Sequence, residues 1–429
     1  MEKAEHQQQL NRQISHNTEK PGLRQKSVRF GLLFVILAAL PLAYYLIPET
    51  IPDKYRPLFV AEKPGAAAVR AVTGPGIWPE PREIHIPKEV KGIYVSAATA
   101  GYKSRFNELV TLVNQTELNA MVIDVKDHRG YLAFIPDSES LKAYTATIPE
   151  LGALKDFTAP LKEQGIYLIA RLFVFQDPAF AEAHPEWAVA SSGGGLWRDY
   201  RGTPWLDPAS KNVWRYNVAV AREAFAGGFD EVQFDYIRFP SDGNLKTMVF
   251  PVWDGQKPRS EVMTDFFTYL DRELRVTVGM PISVDLFGLT MWQHEYDLNI
   301  GQKLVDALSR FDFISPMVYP SHYPAGFNGY ANPADRPYDV VYQNLIRGQA
   351  AYELFRGSTP STDSSVTAEI KLATFRPWIQ DFDLGAVYTP EMVRAQITAT
   401  RDGGGTGWLL WNARNVYTEA ALESVSSAE

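Results

Sequence analysis

The chain has 429 residues, with 42 Lys+Arg against 50 Asp+Glu, 45% hydrophobic and 13% aromatic residues, and no cysteine. That composition excludes a disordered or fibrous chain, and the acidic balance speaks against a nucleic-acid binder, which shows a basic stripe. The lack of cysteine removes disulfides, thiolate nucleophiles, Cys-based zinc sites and iron–sulfur clusters together.

Residues 1–29 are polar, with six basic and three acidic residues, and read as a cytoplasmic tail. Phe30 to Ile47 then runs without a charge: FGLLFVILAALPLAYYLI. At about 1.5 Å per residue such a helix is about 27 Å long, close to the hydrocarbon thickness of a bilayer. Arg24, Lys26 and Arg29 precede it, so the positive-inside rule keeps that flank cytoplasmic and places the remainder outside, in the periplasm or beyond the cell. A cleaved signal peptide is the rival reading. Its polar leader would be unusually long, and no small-x-small site follows the apolar run. Residues 48–87 contain eight prolines and read as an extended spacer that holds a domain off the membrane. Beyond residue 29 the chain has 36 basic and 47 acidic residues, which disfavours docking onto anionic lipid.

From residue 88 to 429, β-rich runs alternate with helical patterns. Val90–Ala97 is the first expected strand, and Ser104 is placed to cap a helix carrying Phe106, Leu109, Val110 and Val113. Asn119–Val125 is the second strand, followed by a helix around Glu150–Gln164 that stops at Gly165. Ile166–Phe173 is the third. Asp207-Pro208 reads as the opening of the next helix, closed by Gly227-Gly228. Glu231–Ile237 is the fourth strand, and a helix from Ser260 follows. Pro281–Phe287 is the fifth, followed by a helix with Ile300, Leu304 and Leu308. Phe311–Tyr319 is the sixth, and Pro337 opens a helix through about Leu354. Ile370–Phe375 is the seventh; Thr389-Pro390-Glu391 starts another helix, and Gly407–Trp411 is the eighth strand. The tail from Val416 has the pattern of a last helix. Eight such units predict a (β/α)8 TIM barrel. The alternative, a doubly wound open sheet, would want a phosphate-binding glycine loop after the first strand, and Val95-Ser96-Ala97-Ala98 is not one.

In a barrel of this kind the chemistry sits at the C-terminal ends of the strands. The polar residues expected there are Asp124, Lys126, Asp127, His128 and Arg129 after strand two, Arg171 in strand three, and Gln233, Asp235 and Arg238 in strand four. Asp285 in strand five, Tyr319 and His322 after strand six, Arg376 after strand seven, and Trp411 and Asn412 in strand eight complete the set. Charges interrupt the apolar runs IARLF, VQFDYIRF and SVDLF, and a buried charge must be paired or functional. The plain alternative is an Arg171–Asp235 ion pair that holds adjacent strands. The sharper reading pairs Asp235 with Asp285 across a cleft, the minimum for glycoside hydrolysis, with Asp124 nearby. Arg171 and Arg238 would keep Asp235 ionised, as a nucleophile or base needs, whereas Val284, Leu286 and Phe287 around Asp285 suit a general acid. The tryptophans at 187, 197, 205, 253, 292, 378 and 411 lie in loops or at strand ends, where flat rings suit sugar faces or simply cap the helices. Arg171, Arg238, Lys126, Tyr319, His322, Trp378, Trp411 and Asn412 are the expected substrate-binding residues. No cofactor or metal is expected: the histidines form no H-x-H pair, His128 beside Asp127 reads as a solvated loop, and G-x-S-x-G and G-x-x-x-x-G-K-[ST] are both absent.

The segments VKGIYVSAATAG, NAMVIDVKDHRGYLAF, GIYLIARLFVFQDP, GFDEVQFDYIRFPSDG, SVDLFG and ISPMVYPSHY, in this order, resemble the bacterial family called the putative glycosyl hydrolase domain. The resemblance spans roughly Lys88 to Asn415. It implies a barrel related to alpha-amylase-like and other retaining glycosidases, with Asp235 in the place of their strand-four nucleophile. Those enzymes use a strand-five Glu as acid, and the matching position here holds Asp285. The function expected is therefore a membrane-anchored glycoside hydrolase acting on an envelope or extracellular polysaccharide. Its alternative is a non-catalytic barrel that binds glycan as a scaffold, and a deacetylase-like or lyase activity is a third.

Overall fold

The computed structural model describes residues 79–80, 82–358 and 371–425. All of them fall within the second of the chain's two compact units, Ile47–Glu429. The expected anchor at residues 30–47 and most of the spacer lie outside the described residues. Among the described residues no helix is long and apolar enough to cross a membrane.

Nine parallel strand segments close a barrel: β1 (Val90–Val95), β2 (Ala120–Lys126), β3 (Tyr167–Phe173), β4 (Glu231–Asp235), β5 (Ile282–Phe287), β6 (Phe313–Met317), β7 (Thr374–Phe375), β8 (Trp378–Gln380) and β9 (Gly407–Trp411). Their order around the wall is β8-β9-β1-β2-β3-β4-β5-β6-β7, and a Trp378–Met317 pairing joins β8 back to β6. An open sheet is excluded by this closure. The expected seventh strand is split into β7 and β8, which together fill one place in a (β/α)8 wall. Pro377 sits at the break, where a residue without an N–H cannot continue a ladder. The principal outer helices are α1 (Lys103–Gln115), α2 (Leu154–Glu163), α3 (Lys211–Ala226), α4 (Arg259–Leu270), α5 (Pro337–Ser358) and α6 (Pro390–Asp402).

Several local expectations need correction. Ser104 lies inside α1, whose cap position is Tyr102. Helix α3 begins at Lys211, because Asp207 is used elsewhere: its carboxylate accepts the backbone N–H groups of Ala209, Val252 and Trp253. Of the helix expected after β5, only one α-helical turn, Leu304–Ala307, forms, beyond a 3-10 turn at Gly288–Met291. The tail from Val416 makes a single short turn at Glu419–Ala421 and a bridge from Ser424 to Thr116. At α6 the expected cap is present, with the Thr389 side chain accepting from Met392 N–H.

The barrel interior is apolar on one side and polar on the other. Val90, Ala120, Val122, Ile169 and Leu409 pack together inside the β1–β3 and β9 wall. Gly92 leaves the space Leu409 fills: a Cβ there would lie 2.7 Å from a Leu409 methyl. The opposite side is built around Glu231, at the start of β4. It forms a fully buried ion pair with Arg376 and accepts from Tyr167 Oη at 3.0 Å and from Ser283. Arg376 therefore belongs to this interior network and not to the mouth.

Candidate active site

Strand alternation sends Asp124, Arg171, Asp235 and Asp285 inward at the C-terminal ends of β2, β3, β4 and β5. One guanidinium joins them. Arg171 Nη1 donates to Asp124 Oδ1 at 2.7 Å, Nη2 donates to Asp235 Oδ2, and Nε stands 3.7 Å from Asp285 Oδ2. Aromatic rings surround the cation: Arg171 lies 4.5 Å from the Phe173 centroid, 5.1 Å from Trp411 and 5.3 Å from Tyr94. Tyr94 stacks on Trp411 at 4.2 Å and donates its hydroxyl to Asp124 Oδ2 at 2.6 Å.

The three carboxylates are not equivalent. Asp235 is 7% exposed, Asp124 4% and Asp285 1%. Asp235 Oδ1 accepts the Tyr236 backbone N–H at 2.6 Å, so each of its oxygens holds one donor. Asp285 Oδ1 accepts the Trp378 indole N–H at 2.9 Å. Burial and then the Asp235 charge push the Asp285 carboxyl well above the usual carboxylate range. Burial also raises Asp124, against the pull of Arg171. Arg171 itself stays firmly charged, because Asp124 and Asp235 outweigh the burial that opposes its charge.

The loops after β3 and β4 pack against each other. The segments Ala190–Ser191 and Met248–Val249 pair as an antiparallel ribbon, and Trp197 Nε1 donates to Asn244 O at 3.0 Å. Arg238 returns to the mouth over Trp205, at 4.8 Å from the ring centroid, and Nη1 donates to Ser241 Oγ at 2.8 Å. Of the two cations expected near Asp235, Arg171 makes the ion pair, and Arg238 stands near enough to feel the Asp235 charge.

The remaining expected binding residues divide. Tyr319, His322 and Trp411 line the mouth with Phe382, the Tyr319 ring standing 5.1 Å from His322 and 5.9 Å from Phe382. Burial lowers the His322 pKa to about 4. Trp378 is enclosed and serves Asp285. Lys126 is not brought to the cluster. It is fully buried on the outer side of β2, where Nζ donates to Asp177 Oδ2 and Asn217 Oδ1, each at 2.9 Å. Asn412 is also buried and holds the chain, donating to Asp381 O at 2.5 Å and accepting from Arg414 N–H. Trp197 and Trp205 pack beneath the loops. Among the described residues no His/Cys/Asp/Glu cluster is arranged to hold a metal. Sequence reasoning missed Tyr94, Phe173 and Tyr236. The alternation Val90, Gly92, Tyr94 was a usable signal for the first of these.

Residues 92–417 match the family described as "Putative glycosyl hydrolase domain". The chain belongs to this family. No curated protein matches it in sequence. Among solved structures it is similar to the PgaB (BpsB) glycoside hydrolase domain from Bordetella bronchiseptica, at 15% identity over 76% of this chain and 94% of that one, with a TM-score of 0.52. At that identity the likeness is one of fold. A hypothetical protein from Ruminiclostridium thermocellum is 34% identical over 45% of this chain and 96% of its own, with a TM-score of 0.40. The family and the barrel thus agree with the resemblance read from the sequence.

Proposed function

We propose that the protein is a glycoside hydrolase in which Asp235 is the nucleophile. The observation that carries this reading is the placement of Asp235. It stands at the C-terminal end of β4, is the most exposed of the three clustered carboxylates, and is oriented at both oxygens by Arg171 and the Tyr236 N–H. A nucleophile must be held in a near-attack geometry while remaining reachable. The aromatic surround of Trp411, Tyr319 and Phe382 suits a sugar face.

Asp285 is the more enclosed carboxyl, with one oxygen bound by Trp378 and the other facing Arg171. In this arrangement the anomeric carbon would be reached by Asp235 and not by Asp285. Asp124 and Asp285 therefore act on Asp235 through Arg171, as positioning residues. We assign the proton for the leaving group to Asp242, half-buried on the loop after β4, whose charge acts on Arg238 together with that of Asp235. Burial pushes the Asp242 carboxyl up, Arg238 pulls it down, and Asp199 adds a like charge. In a retaining cycle Asp235 would attack the anomeric carbon while Asp242 protonates the departing oxygen; water then releases the sugar.

The substrate we propose is an envelope or extracellular polysaccharide, met by a barrel anchored through residues 30–47. The uncharged run and its basic flank support that anchor. The saturation of Arg171 by carboxylates favours a second reading, a barrel that binds glycan without cleaving it. Incubating the full chain with a panel of bacterial polysaccharides and measuring new reducing ends separates the two: cleavage supports the hydrolase, and retention without cleavage supports the scaffold. Membrane fractionation tests the anchor; full-length protein in the soluble fraction with a new N-terminus near residue 48 would contradict it.

A further inference from the structure

Tyr236 directly follows Asp235 and has φ +50°, the left-handed region that favours glycine. Among the described residues it is the one aromatic residue in that region. Bulky residues there are held by their surroundings, and such positions cluster at functional sites.

The surroundings are specific. The Tyr236 ring stacks on Phe173 at 4.9 Å and 21°. The Arg238 guanidinium lies 5.6 Å from the same ring, and Trp205 packs at 6.0 Å. Strand β3 continues to hold the backbone through the kink: Val174 N–H donates to Asp235 O at 2.9 Å and Phe175 N–H to Tyr236 O at 3.2 Å. What the turn delivers is the Tyr236 N–H, aimed at Asp235 Oδ1. The residue beside the nucleophile is thus clamped by its ring into a strained conformation that supplies one of the two donors orienting the carboxylate.

We infer that Tyr236 is a positioning residue for Asp235, and that it acts through its left-handed backbone and not through its hydroxyl. This rests on the hydrolase reading above. The ring is the clamp and the N–H is the working group. Phenylalanine keeps both. Glycine loses the clamp but adopts the same φ without strain. Alanine loses the clamp and keeps the steric penalty, which is relieved by a flip of the Asp235–Tyr236 peptide that changes Asp235 ψ and Tyr236 φ together, withdraws the N–H and breaks the Val174 bond to Asp235 O.

The test compares Y236F, Y236G and Y236A in the full chain, by kcat and KM on 4-nitrophenyl glycosides or glycan fragments and by thermal unfolding. Y236F should stay within about twofold of wild type, and Y236G should lose about tenfold in kcat. Y236A should lose about a hundredfold in kcat with KM little changed, and should melt below Y236G. Recovery of kcat by glycine relative to alanine is the signature, because a ring that only packs would leave the two variants equal in kcat. Equal kcat for Y236G and Y236A, or a Y236F as impaired as Y236A, would overturn the inference. Should wild type cleave no glycan, the hydrolase reading fails by itself; the melting order still decides the strained turn, and Y236A melting at or above Y236G would overturn it.

Discussion

Trp378 donates its indole N–H to Asp285 Oδ1 at 2.9 Å, from a strand segment that begins immediately after Pro377. Two residues apart across Pro377, Arg376 and Trp378 both face the lumen and reach two different acids, Arg376 on Glu231 and Trp378 on Asp285.

Asp285 gives a pH signature. Its folded-state pKa is raised by burial and by Asp235. Above about pH 4 the unfolded chain releases this proton while the folded chain retains it, so this group lowers stability as pH rises. Wild type should therefore lose stability relative to D285N as pH rises above about 4, as read from urea midpoints. A difference that does not change with pH would contradict the assignment.

His322 has the opposite sign. Burial lowers its pKa to about 4. Below its ordinary value of about 6.5 the unfolded chain binds a proton that the folded chain refuses, so stability falls with pH through that window. H322Q should remove this component, and wild type and variant should converge in relative stability above about pH 7. Titration of the imidazole by NMR near its ordinary value would contradict it.

The Glu231–Arg376 pair is fully buried. E231A leaves the guanidinium without its charge partner and should cost about 3–5 kcal/mol in urea unfolding. Adding R376M should recover much of that loss. A single variant within about 0.5 kcal/mol of wild type would show that the interior does not depend on the pair.

Lys126 tests placement. K126M strands Asp177, which is equally buried. It should destabilise the protein by about 3–5 kcal/mol and leave KM for any cleaved glycan unchanged. A raised KM with intact stability would return Lys126 to the substrate site.

Much of the fold was legible because its signals are local and periodic. Gly407–Trp411 appears as β9 with the expected bounds, and β3 and β5 differ by one residue at one end. The seventh strand was misread because the apolar run IKLATF looks continuous, whereas the wall there resumes only past Pro377. Asp124, Arg171, Asp235 and Asp285 were legible because charges stand out in buried strands. Their three-to-one sharing of a guanidinium was not, since it depends on how four strands bring their ends together. Lys126 was misplaced because plain alternation gives it the inner face of Asp124, whereas the pairing of β2 with β3 slips by one residue between Asp124 and Lys126 and turns its side chain to the outer layer, toward Asp177 and Asn217. The left-handed backbone of Tyr236 had no signal at all, because tyrosine is not a residue that announces that conformation.

The central claim is that Asp235 is the nucleophile, and D235N tests it most directly because it keeps the shape and removes the charge. On the glycan that wild type cleaves, D235N should lose at least about a thousandfold in kcat while its thermal unfolding still shows a folded barrel. Near-wild-type turnover by a folded D235N would make Asp235 a structural partner of Arg171 and contradict the account.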